Sequence, residues 1–202
     1  MIGAMMVDVD GVVVCGRPSD GRPWAATIEA DLGLTVAELQ REFFLPYWNE
    51  IVIGRQGLAE HLAPVLARIA PHLSLDDFLA YWFENDARLN IELLDELRIH
   101  RDAGTKAYLA TNQEHLRAAH LIDRLGLDRH FDGIYYSAAL GCRKPDQAFF
   151  ERTAALSGFP PEQLLLIDDT LANVVAARAA GWKAIEWRPG CALSAMLSEL
   201  GS

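Results

Sequence analysis

A chain of 202 residues, 51% of them apolar, is long enough to bury a sizeable core and too hydrophobic to be disordered. Its net charge of -10, spread along the chain, argues against nucleic acid or an anionic membrane surface as a partner, so any bound phosphate needs local positive charge from a cation or a lysine. Three scattered cysteines without CxxC spacing (Cys15, Cys142, Cys191), and a start from Met1 to Val7 with neither basic flank nor long apolar stretch, point to a soluble cytoplasmic protein without signal peptide or membrane span.

In chain order, Ala4 to Val9 is a short apolar run ending in acids, and Val12 to Val14 continues it beyond Gly11. This predicts a buried strand, a carboxylate-bearing loop and a short extension. The turn formers of Gly16 to Gly21 follow. From about Trp24 to about Asn85 the pattern is helical, with capping boxes at Thr35/Glu38 and Ser74/Asp77 and one brief strand-like stretch, Ile51 to Ile53. Beyond it, helices over 91–103, 114–125, 146–157 and 171–180 alternate with strands over 106–110, 133–136, 163–167 and 182–187. Alternation with near-continuous apolar strands predicts an α/β fold, a Rossmann-like parallel sheet core with helices on both faces. The helical block after the first strand is then an inserted α-helical cap. The boundaries are 1–15 and 87–202 for the core and 16–86 for the cap, with Gly16 to Gly21 as hinge.

The polar residues that end these strands supply the chemistry, at the edge where open α/β sheets bind ligands. Asp8 and Asp10, two apart, can face one side of the sheet edge and divide the roles of attacking oxygen and proton donor on a phosphate ester. Gly11 lets the backbone approach phosphoryl oxygens. Thr111 and Asn112 offer a hydroxyl, an amide and backbone N–H groups to a phosphoryl oxygen, while Asn112 also suits a helix N-cap. Lys144, restricted by Pro145, can reach the phosphate and the nucleophile. Asp168 and Asp169 close a buried apolar run, where two acids are costly unless they pair or bind a cation such as Mg2+. Asp169 is the preferred direct ligand, with Asp168 direct or water-mediated. The neighbour Arg143 is left outside the site, Cys15 reads as a core residue, and the six histidines show no ligand spacing. G-x-G-x-x-G, Walker and G-x-S-x-G motifs are absent from the sequence.

Asp8-x-Asp10-Gly11, Thr111-Asn112, Lys144-Pro145 and Asp168-Asp169, in this order, resemble the four motifs of the haloacid dehalogenase-like (HAD) hydrolase superfamily, and the resemblance covers nearly the whole chain. Leu140 to Pro145 and Ile167 to Thr170 resemble the branch with a helical cap after the first strand, which includes sugar-phosphate phosphatases and the phosphatase domain of soluble epoxide hydrolase. The resemblance implies a Mg2+-dependent phosphatase of a small phosphorylated metabolite, with a mild preference for a sugar phosphate. In it Asp8 becomes an aspartyl-phosphate, and Asp10 protonates the leaving alcohol and then deprotonates water. It further implies that the Asp8 carboxylate, the Asp10 carbonyl and the terminal acids hold the metal, that Thr111 binds a phosphoryl oxygen and that Lys144 offsets negative charge. Haloacid dehalogenases typically lack an acid at the position of Asp10, so Asp10 favours phosphate esters. A sugar phosphomutase keeps both acids but usually carries a basic hinge segment, for which Arg55 is the nearest candidate here. A catalytically silent binding protein is the rival of another class, and the intact motifs speak against it. Oligomeric state leaves no trace in the sequence.

Overall fold

The computed structural model describes residues 2–200. Five strands, β1 (Ala4–Val7), β2 (Lys106–Thr111), β3 (Ile134–Tyr136), β4 (Leu164–Asp168) and β5 (Lys183–Glu186), form one parallel sheet in the order β3-β2-β1-β4-β5. The connections carry α1 (Ile28–Leu32), α2 (Val36–Leu39), α3 (Leu45–Ile51), α4 (Leu58–Ile69), α5 (Leu75–Asn85) and α6 (Ile91–Asp102) between β1 and β2. Then come α7 (His115–Ala119), α8 (Ser137–Leu140), α9 (Gln147–Ser157), α10 (Leu171–Ala179) and α11 (Leu193–Leu200).

Successive side chains of a strand point to opposite faces, and here both faces are covered, which is why the strands read as unbroken apolar runs. Met5 and Val7 of β1, with Leu165 and Ile167 of β4, pack on Leu93, Leu94 and Leu97 of α6 and on Leu193 and Met196 of α11. Ala4 and Met6, with Leu164 and Leu166, face the other way onto Phe149 and Phe150 of α9 and Val174 and Ala177 of α10. Val7 lies opposite Leu109 on one side and Ile167 on the other, so the residue after it emerges between two strands. The order reverses direction at β1, and the crevice beyond its carboxyl end is where such sheets place ligands.

The helices α1 to α5 bury a third apolar cluster of their own, with Phe43, Leu62, Phe78 and Trp82 at its centre and no sheet residue in it. Thr35 and Glu38 make the reciprocal capping box that starts α2, and Ser74 caps α5 through the Asp77 N–H. The chain leaves the sheet and returns to it along one path: Cys15 N–H donates to Arg88 O at 2.8 Å and Arg88 N–H to Gly16 O at 3.0 Å.

Several expected elements differ. The first strand stops at Val7, because the N–H groups of Val12, Val13 and Val14 all turn back onto the Val9 carbonyl. Val14 then makes only isolated bridges, with Asp10 and Leu89. Ile51 is the last residue of α3 and Val52 lies in the turn after it, so no strand forms there. The helix expected over 114–125 ends at Ala119 and continues as a wider π-type turn, His120–Arg124. The short helices α8 and α11 carry no expectation from the sequence.

Candidate active site

Asp8 follows β1 directly, and its N–H donates to Ile167 O at 2.9 Å, so the β1–β4 pairing fixes its backbone. Its Oδ1 accepts the Val9 N–H at 2.8 Å and lies 2.9 Å from Lys144 Nζ. Lys144, 2% exposed, also reaches Asp168 Oδ2 at 2.6 Å. Burial works against the lysine charge, but Asp8 and Asp168 outweigh it and hold the ammonium above its ordinary value. Burial likewise pushes the Asp8 carboxyl up to about 7, against the pull of Lys144 and with repulsion from Asp168 adding to the rise. A cation beside Asp8 draws it down again.

The lysine is placed by Asn112. Its side-chain amide donates to Lys144 O at 2.9 Å and its amide oxygen accepts the Lys144 N–H at 2.8 Å. Both functions of the Asn112 side chain are therefore spent on the lysine loop, and its backbone N–H has no backbone partner among the described residues. The N-cap of α7 is Glu114, whose buried carboxylate accepts the N–H groups of Leu116 and Arg117, and not Asn112 as its residue type suggested. Thr111 is buried at the end of β2, and no hydrogen bond within the described residues engages its hydroxyl.

Asp168 is fully buried and saturated. Its Oδ1 accepts from the Thr170 N–H at 2.9 Å and from Asn173 Nδ2 at 3.0 Å, while Oδ2 takes Lys144. Asp169 is exposed and accepts a hydrogen bond from its neighbour Thr170 Oγ1 at 3.2 Å. Gly11 explains how Asp169 fits: a Cβ there would overlap Asp169 Oδ2, and its φ of 79° is strained for any other residue. The Gly11 N–H donates to Val14 O at 2.9 Å, and its missing side chain leaves room for the Asp169 carboxylate. Oxygens of Asp8, Asp168 and Asp169 lie within 4.8 Å of one another. A hard, all-oxygen set of that size fits Mg2+, and the excess of carboxylates over the single local ammonium calls for a cation before a phosphate dianion can enter.

Asp10 keeps an exposed side chain within a wall of protein, and its Oδ2 accepts Gln113 Nε2 at 2.7 Å. Burial pushes its carboxyl up, opposed by the Arg117 charge and the Gln113 hydrogen bond. Arg117 is 2% exposed, pairs with Asp86 Oδ2 at 3.3 Å and donates to Phe83 O at 3.2 Å and to Asp86 O. Burial, then repulsion from Asp10, raises Asp86 to about 6, against Arg117. The structure thus brings Asp8, Asp10, Thr111, Asn112, Lys144, Asp168 and Asp169 to one sheet edge.

Sequence reasoning missed Gln113, Arg117, Asp86 and Asn173. Asn173, five residues past Asp168 in the first turn of α10, was the one with a local spacing signal. Arg143 lies outward, donating to Asn49 Oδ1 at 2.9 Å, and Arg55 is exposed beside Glu50 at 3.3 Å. Cys15 is half-buried between the two crossing segments and not part of a core, its thiol 3.6 Å from Val12 O.

A family model for haloacid dehalogenase-like hydrolases matches residues 2–181. A phosphoglycolate phosphatase of Pseudomonas savastanoi pv. phaseolicola is 28% identical over 188 residues, covering 88% of this chain and 66% of that protein. One of Pseudomonas fluorescens is 33% identical over 91 residues, 45% of this chain and 34% of its own length. A sesquiterpene phosphatase of Aspergillus oryzae is 37% identical over 101 residues, 48% of this chain and 47% of its own. The matched part of the chain thus spans from about a third to just under two thirds of these relatives. Among solved structures, a HAD family enzyme of Bacteroides thetaiotaomicron in complex with magnesium and inorganic phosphate has a TM-score of 0.80 at 18% identity, covering 96% of this chain and 98% of that one. L-2-haloacid dehalogenase of Xanthobacter autotrophicus has a TM-score of 0.62 at 21% identity, covering 100% and 83%. Both share the fold.

Proposed function

The chain belongs to the haloacid dehalogenase-like hydrolase family, and on that premise we propose that it is a magnesium-dependent phosphatase that hydrolyses a small phosphorylated metabolite through an aspartyl-phosphate on Asp8. The observation that carries this reading is the pairing of a buried, lysine-bonded Asp8 with a second acid, Asp10, two residues away and held by Gln113. A halide leaves without a proton, whereas an alkoxide needs one, and Asp10 is placed to give it. The phosphatase names of the curated relatives agree with this choice.

In the first step an Asp8 oxygen forms a bond to phosphorus as the bond to the alkyl oxygen breaks, and Asp10 passes its proton to the departing alcohol. Asp10 then takes a proton from water, the water oxygen bonds to phosphorus, and the Asp8–phosphorus bond breaks to release inorganic phosphate. Lys144 steadies the charge on Asp8 throughout. The Thr111 hydroxyl and the backbone N–H groups of Asp10 and Asn112, which lack backbone partners among the described residues, serve as donors to the phosphoryl oxygens. Asp8, the Asp10 carbonyl and Asp169 would hold Mg2+, while Asp168 orients Lys144 and completes the acid cluster. When bound, the cation offsets the charge that the phosphate brings to four neighbouring carboxylates.

Residues 16–86 serve as a cap over the core formed by 1–15 and 87–202, of which Met1, Gly201 and Ser202 lie outside the described residues. The separate apolar cluster of the inserted helices and the paired crossing segments at Cys15, Gly16 and Arg88 support that division. Three free cysteines agree with a cytoplasmic enzyme. The test is phosphate release from 4-nitrophenyl phosphate with magnesium or with EDTA. Release that needs magnesium is expected; release undiminished in EDTA contradicts the metal-dependent mechanism.

A further inference from the structure

Three polar residues, Gln113 in the turn after β2, Arg117 in α7 and Ser137 at the start of α8, stand between Asp10 and the inserted helices. Gln113, 4% exposed, donates from Nε2 to Asp10 Oδ2 at 2.7 Å, and its carbonyl accepts the Ala138 N–H at 3.2 Å. Ser137 Oγ bridges that same carbonyl, at 3.1 Å, and Val52 O of the inserted helices, at 2.5 Å. Arg117, four residues on, lies over the Phe83 ring at 5.3 Å and holds Asp86 and the Phe83 carbonyl. Of these partners Val52, Phe83 and Asp86 belong to the inserted segment, while Ser137 and Ala138 lie in α8.

A carboxyl on an exposed loop has free rotation about its side-chain bonds, and a proton donor that wanders loses most of its advantage. Gln113 removes that freedom with a donor atom that reaches Asp10 from a buried side chain. The amide neither gains nor loses charge, so it leaves Asp10 able to pass its proton in either direction. Gln113 is itself fixed by a backbone carbonyl that shares Ser137 with Val52. Resting on the reading of Asp10 as proton donor, we propose that Gln113 is a positioning residue for the Asp10 carboxyl, and that Arg117 on Asp86, with Ser137 on Val52, makes that positioning depend on the docking of the inserted helices.

The experiment compares native chain, Gln113→Leu, Asp86→Asn and Asp10→Asn on two probes, 4-nitrophenyl phosphate, whose leaving group departs readily without a proton, and phenyl phosphate, whose leaving group needs one more. Loss of proton-donor placement costs about tenfold to a hundredfold in kcat/KM on phenyl phosphate, which reports the step where the alcohol leaves, and much less in kcat/KM on 4-nitrophenyl phosphate. Asp86→Asn shows the same selective loss to a smaller extent. In the Asp10→Asn background Gln113→Leu adds no further loss, because the group it positions no longer carries the proton. Equal losses of kcat/KM on both probes, no loss on either, or full additivity with Asp10→Asn overturns the proposal. A merely structural role predicts equal losses together with a lowered melting temperature. A native chain that releases phosphate from neither probe instead overturns the phosphatase reading, and the role of Gln113 falls with it.

Discussion

The sheet and the inserted helices are each built around apolar residues, yet the two regions meet across polar contacts. The sheet buries aliphatic side chains in strict alternation between two faces, and its acids emerge only where strands end. The inserted helices bury aromatics instead: Trp24 stacks on Trp82 at 5.1 Å between ring centres, and Phe44 and Trp48 meet the same ring edge-on or tilted. Between the regions stand Ser137 with Val52, Arg143 with Asn49 and Arg117 with Asp86. Contacts of this kind can be exchanged for water at small net cost, whereas an apolar core cannot open without exposing its surface. The polar seam and the two separate apolar cores support the proposed division into core and cap.

The sharpest way to break this contrast is Lys144→Met, which leaves Asp8 and Asp168 buried without their shared cation. The expected loss is about 3–5 kcal/mol in urea unfolding at neutral pH, with phosphate release abolished. The sign of its pH dependence is fixed. Burial already raises the Asp8 carboxyl against the pull of Lys144, so with Lys144 gone the deficit is full when Asp8 is ionised and shrinks as pH falls and it takes up a proton. A deficit that grows toward low pH would contradict the pairing. A smaller effect sharpens the contrast from the other side. Gly54 has a φ of 74° and its Cβ position overlaps the Ala138 carbonyl, so Gly54→Ala should loosen docking by about 1–2 kcal/mol. Hydrogen exchange should then rise at residues 50–56 while β1 and β4 keep their protection. Faster exchange throughout the sheet would mean that the two regions unfold as one.

Legibility in the sequence follows the range of the interactions. The strands were readable because Leu164 to Ile167, covered on both faces, has no polar interruption, and the acids were readable because they break such runs at their ends. The capping box at Thr35 and Glu38 is local and was found. The wider turns that interrupt α2–α3 and follow α7 have no residue signature of their own, and the helices beside them are too short for a period to show. Residues that act on the site from a distance were hidden for the same reason. Gln113 meets Asp10 across 103 positions, Asn112 meets Lys144 across 32, and nothing near Arg117 announces that its partner lies 31 residues earlier. Asn112 looked like a helix cap because its local geometry was the only one in view.

Whether Asp8 carries the phosphoryl group is decided by acid quenching during turnover of 4-nitrophenyl phosphate. Peptide mass analysis should find one added phosphoryl group on the Asp8 peptide of the native chain with magnesium and none in Asp8→Asn, which should also lose release of phosphate. Steady turnover with the phosphoryl group on another residue, or an Asp8→Asn chain as active as the native one, would contradict the account.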